Sequence, residues 1–272
     1  MIAAHHSMAK VSKRSYEGTT FLLKTRDNCR TKYIGNLVIA NGSESITIDW
    51  GDGDVDTYNT SVSDISHTYP ATDFYVMSIS DDVSSIKMRS SMLDNDNTLV
   101  AYLSFGSKIT TIQSQSFQNQ NIQTNDPGGA NYGGITPIQL VDIVKEWTSE
   151  SELVVNATSL GSYSFFPICV TLRLTNLSSF SGSWWYAGGL VPVQNLIFDS
   201  PSITIPGDYL MDWSGFMNGW NEYYEDKSVT FTNKTLSDIR SMSNFPWRAT
   251  EVSIPVYFHG SDGSMDKYGN EI

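Results

Sequence analysis

The feature that most constrains the fold is the stretch Ser45–Ile79, in which two alternating segments flank a tight turn. In Ile46–Trp50 apolar residues alternate with polar ones, which is the period of a strand with one buried face. Gly51–Gly53 then ends the strand, because glycine adopts the positive φ of a tight turn and aspartate can bond its own backbone. A second alternating segment, Phe74–Ile79, is expected to pair back on the first.

Three short motifs in this stretch resemble those of a known family. WGDG at Trp50–Gly53, HTY at His67–Tyr69 and Tyr-x-Met-x-Ile at Tyr75–Ile79 resemble the polycystic-kidney-disease (PKD) domain, an immunoglobulin-like β-sandwich. The resemblance covers about residues 18–88. It departs from the family where Asp73 replaces the glycine before the last strand, and the first aromatic of the family's W-D-F-G-D-G motif is missing. The resemblance implies a spacer or binding module, although a fold alone assigns no activity.

After Met88 the pattern changes to short strands that each precede an Asn, Ser or Asp turn. Their starting positions differ by 24, 34 and 23 residues. Recurrence at this spacing predicts a solenoid of parallel strands, with an ordinary second sandwich as the alternative. The four strand segments are Val170–Asn176, Gln194–Ser200, Ser228–Lys234 and Glu251–Tyr257.

Two further segments resemble the BspA-like leucine-rich repeats of bacterial surface proteins. These are Lys108–Phe117 and Ile203–Pro206, and the resemblance covers about residues 90–260 with irregular repeats. Two helices are predicted within this region. Thr136 and Pro137 are typical of a helix start, and Leu236–Met242 forms a shorter helical turn.

The predicted fold class is therefore mainly β. It comprises an N-terminal immunoglobulin- or PKD-like sandwich and a C-terminal irregular leucine-rich-repeat-like solenoid with one or two short helices. The predicted divisions are a basic arm at 1–17, the sandwich at 18–88 and the solenoid at 89–272, with the boundary near Met88–Leu93. Strands are also predicted at Thr19–Lys24, Asn36–Ala40 and Leu99–Leu103.

Charge is distributed unevenly along the chain. The net charge is −12, yet residues 1–33 carry seven Lys or Arg against Glu17 and Asp27, while the rest carries ten basic and twenty-seven acidic residues. The acidic body argues against nucleic-acid binding by the main surface. The basic region could contact nucleic acid, but an acidic protein partner is equally compatible with its charge. We expect residues 1–33 to attach the protein to an acidic or structurally complementary partner, and a neighbouring copy in that role would favour a homo-oligomer. The predicted attachment residues are Lys10, Val11, Lys13, Arg14, Tyr16 and Phe21.

The remaining composition bears on location. Cys29 and Cys169 are the only cysteines, so no disulfide framework is expected. The first residues lack the continuous apolar core of a signal peptide, and no apolar run is long enough for a membrane span. The polar, Tyr- and Trp-rich composition suits an extracellular or virion surface. A protein without an export signal can reach such a surface by being assembled inside a cell and released as part of a virus particle.

No catalytic motif occurs in the sequence, and we expect no catalytic residue, no cofactor and no metal. Four aspartates, Asp49, Asp52, Asp54 and Asp56, lie close together and leave calcium binding open. The preferred interpretation is a solvated turn, because no bidentate glutamate follows at the spacing of a calcium loop.

Clustered aromatic residues in glycine-rich surroundings are the candidate contacts to a ligand or partner. Core packing is the alternative for the same rings. The candidates are Trp184, Trp185, Tyr186, Trp213, Trp220, Tyr223 and Tyr224.

Three functions compete. The sequence most resembles a non-enzymatic structural component of a bacteriophage virion, such as a head or tail fibre or decoration protein. It would be anchored by its N-terminal region to other virion proteins and would expose a module to a host-surface glycan or protein. The alternative is a bacterial cell-surface adhesin or glycan-binding protein. A glycan-degrading enzyme is disfavoured, because no carboxylate pair stands out.

Overall fold

A computed structural model describes residues 17–27, 29–88, 98–113, 116–117, 137–148, 152–160, 169–177, 179–180, 193–203, 224–242, 245–246 and 249–272. The fold is mainly β, as predicted. Three sheets account for the described strands. In these ranges no helix is long and apolar enough to cross a membrane.

The first sheet is antiparallel and has the order β4-β3-β6-β1-β8. The predicted pairing of the two alternating segments is confirmed, since Ile48 lies opposite Ile79. Between them, β4 forms a hairpin with β3. The strands are β1 (Thr19–Lys24), β3 (Ile46–Asp49), β4 (Val55–Tyr58), β6 (Phe74–Ile79) and β8 (Leu99–Ser104).

The second sheet has the order β13-β11-β9-β7-β2-β5 and changes character across its width. β2 pairs antiparallel with β5 and β7, whereas β7, β9, β11 and β13 pair in parallel. Its strands are β2 (Thr31–Ile39), β5 (Val62–Thr68), β7 (Val83–Lys87), β9 (Thr111–Ile112), β11 (Ser159–Leu160) and β13 (Ser179–Phe180).

The third sheet runs in chain order, and its first five strands are parallel. A final antiparallel hairpin closes it. The strands are β10 (Glu152–Val155), β12 (Thr171–Thr175), β14 (Asn195–Asp199), β15 (Lys227–Phe231), β16 (Val256–Gly260) and β17 (Gly263–Asp266). The parallel pairing of the recurring strands agrees with the sequence pattern, but the fourth strand begins later than the predicted Glu251.

The alternation of each parallel strand sorts its side chains between the core and the outside. Leu172, Leu196, Val229 and Phe258 lie in register on the inner face and are fully buried. One step along, the rings of Phe198 and Phe231 stack with centroids 5.0 Å apart. Burying such aliphatic and aromatic side chains stabilises the sheet by about 1.5–3 kcal/mol for each one.

Both predicted helices are present. Helix α1 (Pro137–Thr148) starts at the predicted proline and buries Val144. Helix α2 (Leu236–Ser241) begins with a capping box, in which the Thr235 hydroxyl accepts from the Asp238 N–H while the Asp238 carboxylate accepts from the Thr235 N–H. A short 3₁₀ helix follows at Ala249–Glu251.

The predicted boundary near Met88–Leu93 does not separate the sheets. β8 lies beyond it and pairs with β1, while β9 pairs with β7 in the second sheet. The buried side chains of all three sheets belong to one hydrophobic cluster. Segments 18–88 and 89–272 therefore share sheets and a core, because open edges on the N-terminal strands are completed by strands from the later segment.

Candidate functional site

The aspartate-rich turn between β3 and β4 is held by its own side chains. Gly51 and Gly53 have φ values of +84° and +107°. The Asp49 carboxylate accepts from the Gly51 N–H at 2.9 Å, and Asp52 accepts from the Asp54 N–H at 3.2 Å. These bonds explain aspartates at this turn without a ligand.

Asp52 also links the first sheet to the second. Its Oδ2 lies 2.7 Å from Nε2 of His67 on β5, and the two side chains are only 4% and 12% exposed. Burial raises the pKa of Asp52, but the hydrogen bonds from His67 and from the Asp54 N–H outweigh it, so the pKa lies below its ordinary value. The Asp52–His67 bond therefore pins the turn against β5.

An aromatic stack surrounds this bond. The His67 ring stacks on Trp50 with centroids 4.8 Å apart and meets Tyr69 edge-on. The Tyr69 hydroxyl donates to the Trp50 carbonyl at 3.1 Å, and its ring stacks on Tyr75 at 4.3 Å. The motif residues that carry the family resemblance thus contact one another between the two sheets.

Ligand atoms of Asp52, Asp54 and His67 lie within 4.8 Å of one another, a spacing that a metal ion can use. Asp49 and Asp56 are not in this group: Asp49 bonds the turn, and Asp56 accepts from the Trp50 indole N–H at 2.9 Å. Ca²⁺ usually takes about six to eight oxygen ligands. The geometry therefore favours the interpretation of the four aspartates as a turn over a calcium loop.

The outward face of the parallel sheet presents side chains in rows that cross the strands. We call this half-buried surface the polar face. Its first row contains Thr171, Asn195, Ser228 and Tyr257 in register. Asn195 Nδ2 donates to the Thr171 hydroxyl at 3.2 Å, and the Ser228 hydroxyl donates to Asn195 Oδ1 at 2.8 Å. These bonds hold the first row in one arrangement.

Arg173 organises one end of the polar face. Its guanidinium donates two hydrogen bonds to Glu152, at 2.7 and 3.1 Å, and one to Asp199 at 3.2 Å. The hydrogen bond to Glu152 is the main reason that the pKa of Arg173 is raised. Asp199 also accepts a hydrogen bond from the Thr232 hydroxyl at 2.6 Å. This hydrogen bond is the main cause of the lowered pKa of Asp199. This network fixes charged groups of both signs across neighbouring strands.

The second row continues from Arg173 through Ile197 and Thr230 to His259. His259 Nδ1 lies 2.7 Å from the Ser264 hydroxyl, which orients the ring. Burial lowers the pKa of His259, while nearby Asp226 opposes this effect. The polar face thus carries hydroxyl, amide, guanidinium, imidazole and phenol groups on rigid strands.

The predicted aromatic contacts lie mainly outside the described residues. Trp184, Trp185, Tyr186, Trp213, Trp220 and Tyr223 fall there. Tyr224 is described and is only 7% exposed, with Lys145 Nζ located 4.7 Å from its ring centroid. Tyr224 therefore packs into the core, which is the alternative given above for these rings, and it is not available as a contact to a ligand or partner.

The predicted attachment residues divide in the same way. Lys10, Val11, Lys13, Arg14 and Tyr16 lie outside the described residues. Phe21 is fully buried in the centre of β1, where its ring contacts Tyr102 and Phe105. Phe21 therefore cannot anchor a partner, because β1 lies between β6 and β8.

The polar face is absent from the sequence-based predictions, although the sequence contains a pattern that indicates it. Thr171, Arg173 and Thr175 occupy alternate positions of a recurring strand, and the outward positions of the next strands are mostly polar as well. Alternation in a parallel strand indicates that one face meets solvent. Comparison with protein-family models, curated proteins and solved structures found no match to this chain.

Proposed function

We propose that this protein is a non-enzymatic structural and recognition component of a bacteriophage particle. In this proposal the polar face is the recognition surface, and the N-terminal region attaches the protein to other virion proteins or to further copies of itself. The observation that carries the proposal is the hydrogen-bonded row of Thr171, Asn195 and Ser228 beside the Arg173 network. Polar side chains fixed on rigid strands can bind a ligand with little loss of side-chain entropy.

A host-surface glycan is the proposed ligand class. Sugar hydroxyls both donate and accept hydrogen bonds, and the polar face offers donors and acceptors within a short distance of one another. Tyr257 is half-buried at the end of the first row and adds an aromatic ring that combines apolar area with a polar tip. The face therefore offers the chemistry that saccharide recognition needs.

We propose a specific architecture for each segment as well. The stack of Trp50, His67 and Tyr69 supports a PKD-like sandwich in 18–88. Successive parallel strands with in-register buried residues support a leucine-rich-repeat-like solenoid in the later segment. In both architectures the strands would act as a scaffold rather than as a catalytic centre.

A bacterial cell-surface adhesin is the second candidate. The observation that favours it is the run of parallel strands from β10 to β16, which suits the resemblance to repeats of bacterial surface proteins. Both candidates use the polar face in the same way, so they differ in location rather than in binding chemistry.

Fractionation of the source culture separates the two. Particles purified by density gradient and washed intact cells would each be analysed by mass spectrometry and by immunogold labelling with antibodies to this chain. The virion proposal predicts the chain in the particle band at a fixed ratio to the other particle proteins. Its presence on washed cells and absence from particles would support the adhesin, and absence from both would overturn both proposals.

A further inference from the structure

β4 is an edge strand of the first sheet as far as the described residues show. Among the described strands, β4 pairs with β3 alone. The Trp50 N–H donates to the Asp54 carbonyl at 3.1 Å, and alternation in an antiparallel pair then directs the backbone groups of Val55 and Thr57 away from β3. The edge therefore presents two sets of N–H and C=O groups to an incoming strand.

The surroundings of this edge are strongly acidic. Residues 33–86 contain nine Asp or Glu and no Lys or Arg. Asp49, Asp54 and Asp56 are exposed on the β3–β4 hairpin, and Val55 between them is 56% exposed. Two such edges would repel one another, whereas an extended basic segment would be attracted.

The neighbouring edge strand lacks this regular geometry. β5 lies at the edge of the second sheet, and Asp64 within it has a φ of 50°. A left-handed residue interrupts the regular edge that strand addition needs. Of these two edges, β4 is the one suited to accept a further strand.

We propose that the β4 edge binds the basic segment 1–16 of a second copy of this chain as an added strand. This segment carries Lys10, Lys13 and Arg14 and no acidic residue. Its charge complements the hairpin, and backbone hydrogen bonds would supply the affinity that exposed ion pairs lack. The inference rests on the attachment role in the proposed function and names the surface that receives the segment.

The position of β1 favours a second copy over the same chain. β1 starts at Thr19 and is separated from β4 by β6 and β3, a distance of roughly 14 Å at ordinary strand spacing. The segment of the same chain would have to turn back across the ends of both strands to reach the edge. A neighbouring copy meets the edge directly.

Sedimentation velocity of the full chain tests the proposal, with Val55→Pro compared with Val55→Thr. Proline at position 55 removes the N–H that points away from β3, and it breaks no hydrogen bond between β4 and β3. Threonine keeps this N–H and is β-branched like valine. We expect the parent chain and Val55→Thr to self-associate, and Val55→Pro to associate on the order of tenfold more weakly. Urea midpoints of both variants measure whether the hairpin stays folded.

Charge exchange provides a second, independent variant set. Lys13→Glu should weaken association at low salt, and mixing this variant with Asp54→Lys should restore it. A monomeric parent chain, equal association of the two Val55 variants, or crosslinks between segment 1–16 and β4 within one monomer would each overturn the proposal. Because the assay uses purified protein, its failure is distinct from the absence of the chain from particles.

Discussion

Replacing Gly51 by alanine should damage the hairpin far more than the same change at Gly42. Both glycines have a positive φ, +84° and +82°, so alanine costs about 1–2 kcal/mol at either site for the left-handed conformation. The sites differ in space: a Cβ at Gly51 would lie 2.3 Å from the Val76 carbonyl oxygen, whereas nothing lies within 4 Å of a Cβ at Gly42.

The contact at Gly51 is with backbone, which cannot rotate away. The hairpin or β6 must shift, and overpacking of this kind costs about 1–3 kcal/mol more. We therefore expect Gly51→Ala to lower the free energy of unfolding by about 2–5 kcal/mol and Gly42→Ala by about 1–2 kcal/mol. Urea denaturation followed by tryptophan fluorescence measures both. Equal losses at the two sites would refute the close approach of the turn to β6.

Three further predictions concern other parts of the molecule. Because the pKa of Asp52 is lowered in the folded protein, its contribution to stability is fully present above the unfolded pKa near 3.8 and is lost as the pH falls through the folded pKa. Asp52→Asn should therefore reduce the fall in the urea midpoint between pH 7 and pH 3. An unchanged fall in the midpoint would contradict this prediction. Phe198→Ala should lower the free energy of unfolding in urea by about 3–5 kcal/mol, because the Phe198 side chain is fully buried. Ile197→Ala, on the outward face of the same strand, should lower it by less than about 1 kcal/mol. Similar losses for the two variants would mean that the inner and outward faces of the strand are misassigned. Thr235→Ala should lower the stability of the protein by about 1 kcal/mol, because it removes the N-cap of α2. The thermal midpoint should fall accordingly, and an unchanged midpoint would mean that the cap does not contribute to stability.

Local sequence pattern is sufficient to predict a strand or a helix where one of its faces is buried. Thr19–Lys24, the Ile46 and Phe74 strands and both helices were predicted because alternation, glycine turns and capping residues act within a few positions. The order of strands across a sheet depends on distant contacts instead. β8 pairs with β1 and β9 pairs with β7, but no local pattern in the sequence indicates either pairing. For this reason the sequence predicted 18–88 and 89–272 as separate domains.

The candidate site also depends on contacts between residues that are distant in the sequence, which local pattern does not predict. The contact between Asp52 and His67 joins two sheets, and the sequence indicated a link between them only through a resemblance of their motifs to those of the PKD domain. The polar face was missed because each of its rows takes single residues from strands that are far apart in sequence, such as Arg173 and His259. The aromatic clusters are a more conspicuous pattern in the sequence, but Tyr224, the one candidate aromatic residue that the structure describes, is buried.

Recognition by the polar face is tested by measuring binding of the labelled protein to an array of bacterial surface polysaccharides. Thr230→Arg places a long side chain in the middle of the polar face, between Ile197 and His259 in the second row. Thr60→Arg makes the same change at an exposed position between β4 and β5, which belong to the other two sheets. We expect a saccharide signal that Thr230→Arg reduces at least about tenfold, or 1.4 kcal/mol, and that Thr60→Arg leaves unchanged. Absence of any saccharide signal, or equal signals from both variants, would contradict recognition by the polar face.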